Sequence, residues 1–555
     1  EAFWLMEGYF VRTLGMHRVY NSAFMNMLKM EDNSNYRTTI RNVLEFSPRI
    51  LKRFVNFMNN PDEKTAVAQF GKGDKYFGVA VMMATMPGLP MFGHGQIEGL
   101  SEEYGMEYRR AYWDEQVDEE MVRRHEREIF PLLRRRYLFS GARQFAFYDF
   151  HTVDGNVNDD VFAYSNISEG ERAVVIYHNA YRETAGWIHT STSINIGQND
   201  ETIFLRKSLK QALDLNSRDS IYYVFREHRT ALEYLRSGRE LEQQGLYAQL
   251  HAYEYQVFMD FREIEDRDGS WAQLCQHLGG RGVPSIDKAY KELHLSPMLE
   301  VFSGTIRWET LGPLLQPVQE EGDREEASEE MAYLCESFLS QAKPFGFPAP
   351  PSEEFVESVL EMTDFLADCK VLLWEAKVSA EALDFLLSRT SGEKNPGASF
   401  WHLPAVWAVL RPLENNRVEK TRTGKNLDEH WLEEWLLTDQ VQSAFEQSGA
   451  DSASAYRKTQ LLKAMLAFND LLSPGTASKR KTILRDLFED TSIRDYLQVH
   501  LYEGVFWFNK ERYEELMYWL LLAWVAKSAV NGGLEKKGFA ERVEDALKEM
   551  GQLVK

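Results

Sequence analysis

Two acidic side chains stand where carboxyl groups could exchange protons with a bound substrate. Asp62 follows the apolar run 54–58 in the segment NNPDE, and Glu1 opens the segment EAFW. Enzymes built as barrels of parallel strands place their reacting groups where a strand runs into the next loop, so a carboxylate at Asp62 would face a substrate. These two segments are therefore the first candidates for a catalytic site.

Each of these segments also has a purely structural interpretation. Asn60 as a cap, Pro61 at the first helical position, and Asp62 and Glu63 in the first turn would make an ordinary helix start. Glu1 taken alone is a charged residue with no role. Both interpretations stay open when each segment is considered by itself.

A second group of side chains could contact a sugar. Trp113 offers an aromatic face on which the C–H surface of a sugar ring can pack, with Arg110 and Asp114 as polar partners. The same tryptophan could instead cover the rim of a barrel. His94 lies between two glycines, where it could bind a ligand or simply belong to a tight loop.

Composition limits the classes of protein that this chain could represent. With 555 residues and 44% apolar content, we expect two or three domains. The 63 basic and 85 acidic residues give a net charge of −22, which disfavours nucleic acid and anionic membranes as partners. The longest apolar run, 516–526, is shorter than the roughly 18 residues that cross a bilayer, so it predicts a buried helix. The oligomeric state stays open.

The cysteines and one acidic loop indicate whether the protein binds a metal and in which cellular compartment it is expected. Cys275, Cys335 and Cys369 are widely spaced and odd in number, which favours free thiols in a reducing, cytoplasmic environment. Segment 154–159 resembles a calcium loop but lacks its glycine and its final glutamate, so it predicts a hairpin turn. We expect no metal and no cofactor. The sequence opens without a methionine or a signal peptide, so we expect the natural N-terminus to be absent.

The first part of the chain has the pattern of βα units around a parallel sheet. Up to about residue 115, short apolar runs alternate with helical stretches. The runs 19–25, 54–58 and 89–92 predict strands, and 75–86 predicts a helix that ends at Pro87.

The rest of the chain changes character twice. Residues 144–262 are rich in β-forming runs separated by turns, which predicts an antiparallel domain with a helical insert over 230–244. Beyond residue 266 the pattern is helical, and the proline-rich segment 343–351 is the clearest linker.

Three segments, in this order and spacing, resemble glycoside hydrolase family 13, the α-amylase family. They are EAFW at 1–4, NNPDE at 59–63 and TMPGLPMFGHGQIEG at 85–99. They are similar to the ends of barrel strands five and seven and to the last helix and strand of the barrel. The resemblance implies the C-terminal half of a (β/α)8 TIM barrel and an antiparallel β-sandwich domain, and the helical pattern beyond residue 266 adds an all-α accessory region. Their expected bounds are 1–125, 126–265 and 266–555, with a linker near 341–352.

The same resemblance implies roles for particular residues. Glu1 would protonate the glycosidic oxygen, and Asp62 would hydrogen-bond the sugar at the reacting centre. The candidates for binding an α-glucan or malto-oligosaccharide are Asn60, His94, Arg110, Trp113 and Asp114. A retaining mechanism also needs a carboxylate nucleophile about 5 Å from the acid. In this family it is an aspartate at the end of strand four, which would precede Glu1, so we expect this chain to be inactive by itself.

One departure from the family pattern concerns the strand-seven motif. Most members have a histidine where this chain has Pro61, and proline donates no hydrogen bond. The combination of EAF with N-x-P-D is similar to the branch that transfers maltosyl units from maltose 1-phosphate. Hydrolysis and transfer therefore both stay open. A non-catalytic homologue that binds glucan or scaffolds a complex is the alternative from a different class.

Overall fold

The fold divides into two compact units, residues Glu1–Lys291 and Glu292–Lys555. The computed structural model describes residues 9, 13–103, 110–197, 201–315, 323–388, 397–415, 431–469, 471–473, 477–534 and 538–554. Glu1 and the rest of the EAFW segment lie outside the described residues.

A parallel sheet opens the described part of the first unit. Within residues 13–103 its three strands pair in the order β1-β2-β3, namely β1 Val19–Tyr20, β2 Phe54–Phe57 and β3 Leu89–Met91. The helices between them are α1 Ser22–Met30, α2 Asn33–Phe46, α3 Ala66–Phe70 and α4 Asp74–Thr85, with a 3-10 turn at Pro48–Arg53. The predicted parallel βα pattern is confirmed for these strands.

The strand predicted over residues 19–25 is wrong beyond Tyr20. Asn21 ends the strand, and its side-chain oxygen accepts a hydrogen bond from the Phe24 backbone N–H at 3.3 Å. This cap starts helix α1 at Ser22. The aromatic and apolar residues that suggested a strand are instead buried on a helix.

A short helical segment follows the parallel sheet. It consists of α5 Glu119–Arg124, a π-helical turn at His125–Ile129, α6 Phe130–Arg134 and α7 Arg136–Phe139. His125 and Glu128 of the π-helical turn are buried.

An antiparallel sheet makes up most of the remaining first unit, as predicted, but its eight main strands form one curled sheet rather than the two separate sheets expected of a β-sandwich. Among the described residues its eight strands pair continuously in the order β11-β10-β13-β6-β5-β4-β7-β12. Strands from both halves of this order share one apolar core, so the sheet is curled around it. The strands are β4 Ala146–Thr152, β5 Val161–Ser168, β6 Glu171–His178, β7 Thr184–Ser191, β10 Ile221–Glu227, β11 Glu233–Ser237, β12 Leu246–Leu250 and β13 Tyr255–Glu265. Two short strands, β8 Ile194–Asn195 and β9 Phe204–Leu205, pair separately.

Two details of this region bear on the predictions. The loop from Thr152 to Val161 joins antiparallel neighbours β4 and β5, which confirms the hairpin at 154–159. The helical insert over 230–244 is wrong in its first half, because Glu233–Ser237 is a strand paired with β10. Only Gly238–Gln243 is helical there.

The remaining helices of this stretch are Leu209–Leu213, Ser270–Leu278 and Ile286–Ile306. The last of these contains the boundary between the units.

The second unit is helical, as predicted, with one hairpin of strands His500–Tyr502 and Val505–Trp507. Its described helices are Trp308–Leu315, Asp323–Ala342, Ser352–Glu375, Ala380–Leu387, Gly397–Asn415, Trp431–Glu434, Leu437–Gln447, Ser452–Ala467, Ala477–Glu489, Thr491–Tyr496, Lys510–Ser528 and Phe539–Val554. The apolar run 516–526 is buried within Lys510–Ser528, as expected. The proline-rich segment 343–351 joins two helices of this unit. No helix in the described ranges is long and apolar enough to span a membrane.

A buried polar contact ties helix α2 to the antiparallel sheet. Arg37 is fully buried, and its guanidinium lies 2.6 Å from the Asp149 carboxylate and donates to the Tyr148 carbonyl at 3.1 Å. Asn33 and Asn179, both buried, exchange amide contacts, with Asn179 Nδ2 donating to Asn33 Oδ1 at 2.7 Å. The parallel and antiparallel parts of the first unit are therefore joined by directional contacts as well as by a shared apolar core.

Candidate functional site

The carboxyl ends of β2 and β3 bring two of the resemblance segments to one edge of the parallel sheet. Asn59 and Asn60 follow β2, and Gly93 and His94 follow its parallel neighbour β3. Asn56 of β2 also contacts the segment before β3, since its Nδ2 donates to the Pro87 carbonyl at 3.1 Å. Parallel neighbours present their carboxyl ends on the same side, so these residues line one edge, as the resemblance implied.

Asp62 lies in a turn rather than in a helix. Asn60 is buried, and its Oδ1 accepts a hydrogen bond from the Asp62 backbone N–H at 2.9 Å. The next helix, α3, begins only at Ala66, where Thr65 is the cap. The interpretation of 60–63 as a helix start is therefore wrong. The Asp62 side chain is exposed, and the Asn60 side chain fixes the backbone that carries it.

The loop after β3 is tied back on itself by Gln96. The Gln96 Oε1 accepts a hydrogen bond from the Gly93 N–H at 2.9 Å, and the Gln96 N–H donates to the Gly93 carbonyl at 3.2 Å. The Gln96 side chain also reaches Met58 at the end of β2, with 3.4 Å between Nε2 and Sδ. His94 is exposed at the tip of this loop. Gln96 therefore couples the two strand ends.

Asn59 is a site residue that the sequence reasoning missed. Its amide fills the space beside Gly93, since a Cβ added to Gly93 would lie 2.3 Å from the amide atoms. Asn59 is 5% exposed, and its Oδ1 has no hydrogen-bond partner among the described residues. Buried acceptors are normally paired, so this oxygen is the kind of atom that a bound hydroxyl donor would satisfy. Its place directly after a strand was the only signal in the sequence.

A buried hydrogen-bonded chain supports the Gln96 loop from behind. The Tyr76 hydroxyl of α4 lies 2.9 Å from the Gln96 carbonyl oxygen and 3.1 Å from His125 Nε2. His125 Nδ1 lies 2.8 Å from the Met121 carbonyl. Burial lowers the pKa of His125 and raises that of Tyr76 well above its ordinary value. None of these contacts was predicted, because they join residues far apart in the sequence.

The aromatic segment 110–114 is held open at the surface. The carboxylate of Glu102 accepts hydrogen bonds from the Tyr112 N–H at 2.7 Å and from the Trp113 N–H at 3.1 Å. Trp113 is 59% exposed, and Arg110 and Asp114 are exposed too. A ring this open is available for a ligand rather than covering a core. Glu102 thus fixes the backbone of this segment at Tyr112 and Trp113.

The pairing of Glu1 with Asp62 stays a prediction, since Glu1 lies outside the described residues. Within the described part of the chain, no group of three histidine, cysteine or acidic side chains could hold a metal ion. The thiols of Cys275, Cys335 and Cys369 are all free.

No protein-family model and no curated protein matches the chain. Solved structures that are similar to parts of it include three enzymes. The α-amylase from Geobacillus thermoleovorans, complexed with acarbose, is 14% identical over 40% of this chain and 42% of that chain, with a TM-score of 0.26. An Anoxybacillus α-amylase is 13% identical over 48% and 50%, with a TM-score of 0.30. The debranching enzyme from Nostoc punctiforme, soaked with acarbose, is 12% identical over 41% and 38%, with a TM-score of 0.26.

This chain thus aligns with half or less of the length of each of those structures. Identities and TM-scores at this level assign no function. The function has to be argued from the residues at the strand ends.

Proposed function

We propose that this chain belongs to the α-amylase family and acts on α-glucans or malto-oligosaccharides by a retaining mechanism. The observation that supports this most is the meeting of two motif segments at one edge. Residues 59–62 follow β2, residues 93–96 follow its parallel neighbour, and Gln96 contacts both strand ends. Reacting groups of barrel enzymes lie at such an edge.

In this proposal Asp62 hydrogen-bonds the sugar at the reacting centre. Its side chain is exposed, and the Asn60 amide holds its backbone N–H at 2.9 Å. A carboxylate held in this way contributes to catalysis when its contact with the sugar strengthens in the transition state. Trp113 would pack on a sugar ring, with Arg110 and Asp114 as polar partners, and His94 is a separate candidate for a sugar contact.

Glu1 is assigned the acid/base role by the family resemblance. It would protonate the glycosidic oxygen and later deprotonate the acceptor. Retention also needs a carboxylate nucleophile about 5 Å away. We assign that role to no described residue of this chain.

The test compares two neighbouring acidic residues, Asp62 and Glu63. Asp62→Asn is expected to lower kcat/KM on a malto-oligosaccharide about 10²–10³-fold, because a transition-state contact is lost. Glu63→Gln, which removes a carboxylate one residue away, is expected to change it less than about threefold. Equal effects of the two variants, or full activity of Asp62→Asn, would show that Asp62 has no role in the reaction.

Transfer is a second candidate activity, supported by Pro61. The proline cannot donate the hydrogen bond that the family histidine gives to a sugar hydroxyl, so the substrate contact here must differ. Incubation with maltose 1-phosphate separates the outcomes. Phosphate release with chain extension indicates maltosyl transfer, whereas new reducing ends from malto-oligosaccharide without phosphate indicate hydrolysis.

A non-catalytic, glucan-binding role is the alternative from another class, and the same proline is compatible with it. It predicts binding of malto-oligosaccharide without product from either substrate, and a residue other than aspartate at the nucleophile position. Glucan binding that is abolished by Trp113→Ala but unaffected by Asp62→Asn would favour this alternative.

A further inference from the structure

We propose that Tyr76 and His125 are positioning residues for the candidate site, and that protonation of His125 tightens the loop 93–96 against the end of β2. The inference concerns the loop itself, and only its catalytic consequence rests on the proposed function. It stands on an unbroken line of contacts from His125 through Tyr76 to the Gln96 carbonyl.

The Tyr76 hydroxyl has a single hydrogen and two neighbouring atoms that could accept it. Its oxygen lies 2.9 Å from the Gln96 carbonyl and 3.1 Å from His125 Nε2, and Tyr76 is fully buried. The hydroxyl has one hydrogen, so it can donate fully to only one of these two acceptors. The protonation state of His125 therefore decides where that hydrogen goes.

With a neutral imidazole, one contact is always lost. His125 Nδ1 lies 2.8 Å from the Met121 carbonyl, so Nδ1 carries the proton and donates to it. Nε2 is then an acceptor, and Tyr76 must choose between donating to Nε2 and donating to Gln96. The other tautomer turns the Nδ1 lone pair toward the Met121 carbonyl oxygen, which is repulsive.

With a protonated imidazole, all three contacts are satisfied together. Nδ1 donates to Met121, Nε2 donates to the Tyr76 oxygen, and Tyr76 donates its hydrogen to Gln96. Gln96 in turn holds Gly93 through its Oε1 at 2.9 Å. Protonation thus completes a line of hydrogen bonds that ends on the candidate site.

The surroundings of His125 set the pH at which this happens. Burial among Tyr76, Phe77, Phe92 and Phe130 disfavours the cation, and Arg124 opposes it as well. Glu128 and Glu98 favour the cation. Burial prevails, so the pKa of His125 is lowered from the ordinary 6.5, and the loop is expected to tighten only as the pH falls below that value.

Overall stability changes in the opposite direction over the same pH range. Because the unfolded chain holds the proton more tightly, folding stability is lost as the pH falls from 6.5 through the lowered pKa of His125. A rise in the protection of the loop amides at low pH could therefore not come from stabilisation of the whole fold.

Hydrogen exchange of the full chain without substrate tests the proposal. The readouts are the backbone amides of Gln96 and Leu100, which donate to Gly93 and Gly95 at 3.2 Å and 2.9 Å. Their protection, corrected for the intrinsic pH dependence of exchange, is expected to rise about threefold to tenfold between pH 7 and pH 4. Tyr76→Phe should lower it at every pH and abolish the rise.

Two matched variants separate positioning from general packing. Tyr164→Phe removes another buried hydroxyl, bonded to Thr85, and should leave the loop amides unchanged. His125→Gln places an N–H that does not titrate near the Nε2 position, so the loop amides should be highly protected at every pH. His125→Asn keeps only the contact made by Nδ1, so the loop amides should be weakly protected.

The proposal is overturned if Tyr76→Phe leaves the loop protection unchanged, or if the wild-type rise persists in His125→Asn. If Tyr76→Phe fails to fold, the comparison of His125→Gln with His125→Asn decides by itself. Failure of the proposed function appears separately, as absence of product from malto-oligosaccharide while the exchange behaviour is retained.

Discussion

The side-chain amide of Asn59 occupies the space that a Cβ atom of Gly93 would fill. A methyl group at position 93 would approach the Asn59 amide atoms to 2.3 Å. The two residues follow adjacent parallel strands, so this contact brings the loop after β3 against the turn that carries Asp62. Glycine at 93 is needed for this close approach.

Gly93→Ala is expected to destabilise the fold by about 1–3 kcal/mol, the usual cost of forcing a group into filled space. It should also lower kcat/KM by shifting residues near the site. Urea unfolding and product assays measure these effects. Gly141→Ala is the control, because an added Cβ there meets no atom within 4 Å. The double variant Asn59→Ala with Gly93→Ala should recover part of the stability, and its failure to do so would argue against a direct clash.

Trp113→Ala is expected to raise KM for a malto-oligosaccharide about fivefold with little change in kcat, because an aromatic contact contributes about 1 kcal/mol to binding. Tyr112→Ala is a matched control, since Tyr112 is 65% exposed against 59% for Trp113. A larger effect at Tyr112 than at Trp113 would show that Tyr112, and not Trp113, makes the sugar contact.

Arg37→Met is expected to cost about 2–4 kcal/mol of stability, because it leaves the buried Tyr148 and Val161 carbonyls without the Arg37 donor and removes one of the two arginines that pair with Asp149. Arg41→Met is the control. Arg41 pairs with the same carboxylate, but its side chain is 34% exposed, and such pairs contribute at most about 1 kcal/mol. Native-state hydrogen exchange in β4 and β5 measures both variants, and equal costs would contradict the assignment.

Burial raises the pKa of Cys335 and of Cys369 to about 12. Because only the thiolate reacts, both thiols should stay unmodified by iodoacetamide at pH 8 in the folded chain. In urea, where the pKa returns toward 9.0, both should react. Mass spectrometry after timed quenching gives the readout, and rapid modification of either thiol in the native chain would contradict its burial.

The parts of the fold that were predicted correctly have strong local signals. The apolar runs before Asn59 and His94 end in polar or glycine-rich loops, and both runs are strands of the parallel sheet. The regular turns between residues 144 and 262 predicted the antiparallel sheet in the same way. Periodicity along a short stretch of chain was enough for these elements.

The errors arose where local patterns had two interpretations. Leu232, Leu235 and Leu241 have a spacing compatible with a helix, but Leu235 is paired with Val224 in a strand, and only Leu241 is helical. Propensity was overridden there by pairing with β10. The run after Tyr20 contains good strand formers, yet capping by Asn21 starts a helix.

The candidate site was predicted only as far as its position along the chain. Asp62 and His94 could be placed at strand ends from the sequence. The contacts of Asn59 with Gly93 and of Tyr76 with Gln96 and His125 join residues 20 to 49 positions apart. No pattern within one element carries such information.

The contacts of Arg37, Asn33 and Asn179 have a practical consequence for recombinant work on this protein. A truncation ending near residue 125 would remove the residues of the antiparallel sheet that helix α2 contacts. The buried Arg37 side chain and the aromatic residues of the shared core would then be exposed to solvent. Such a piece is expected to aggregate rather than to fold independently. Cloning boundaries should therefore keep residues 1 to 291 on one polypeptide.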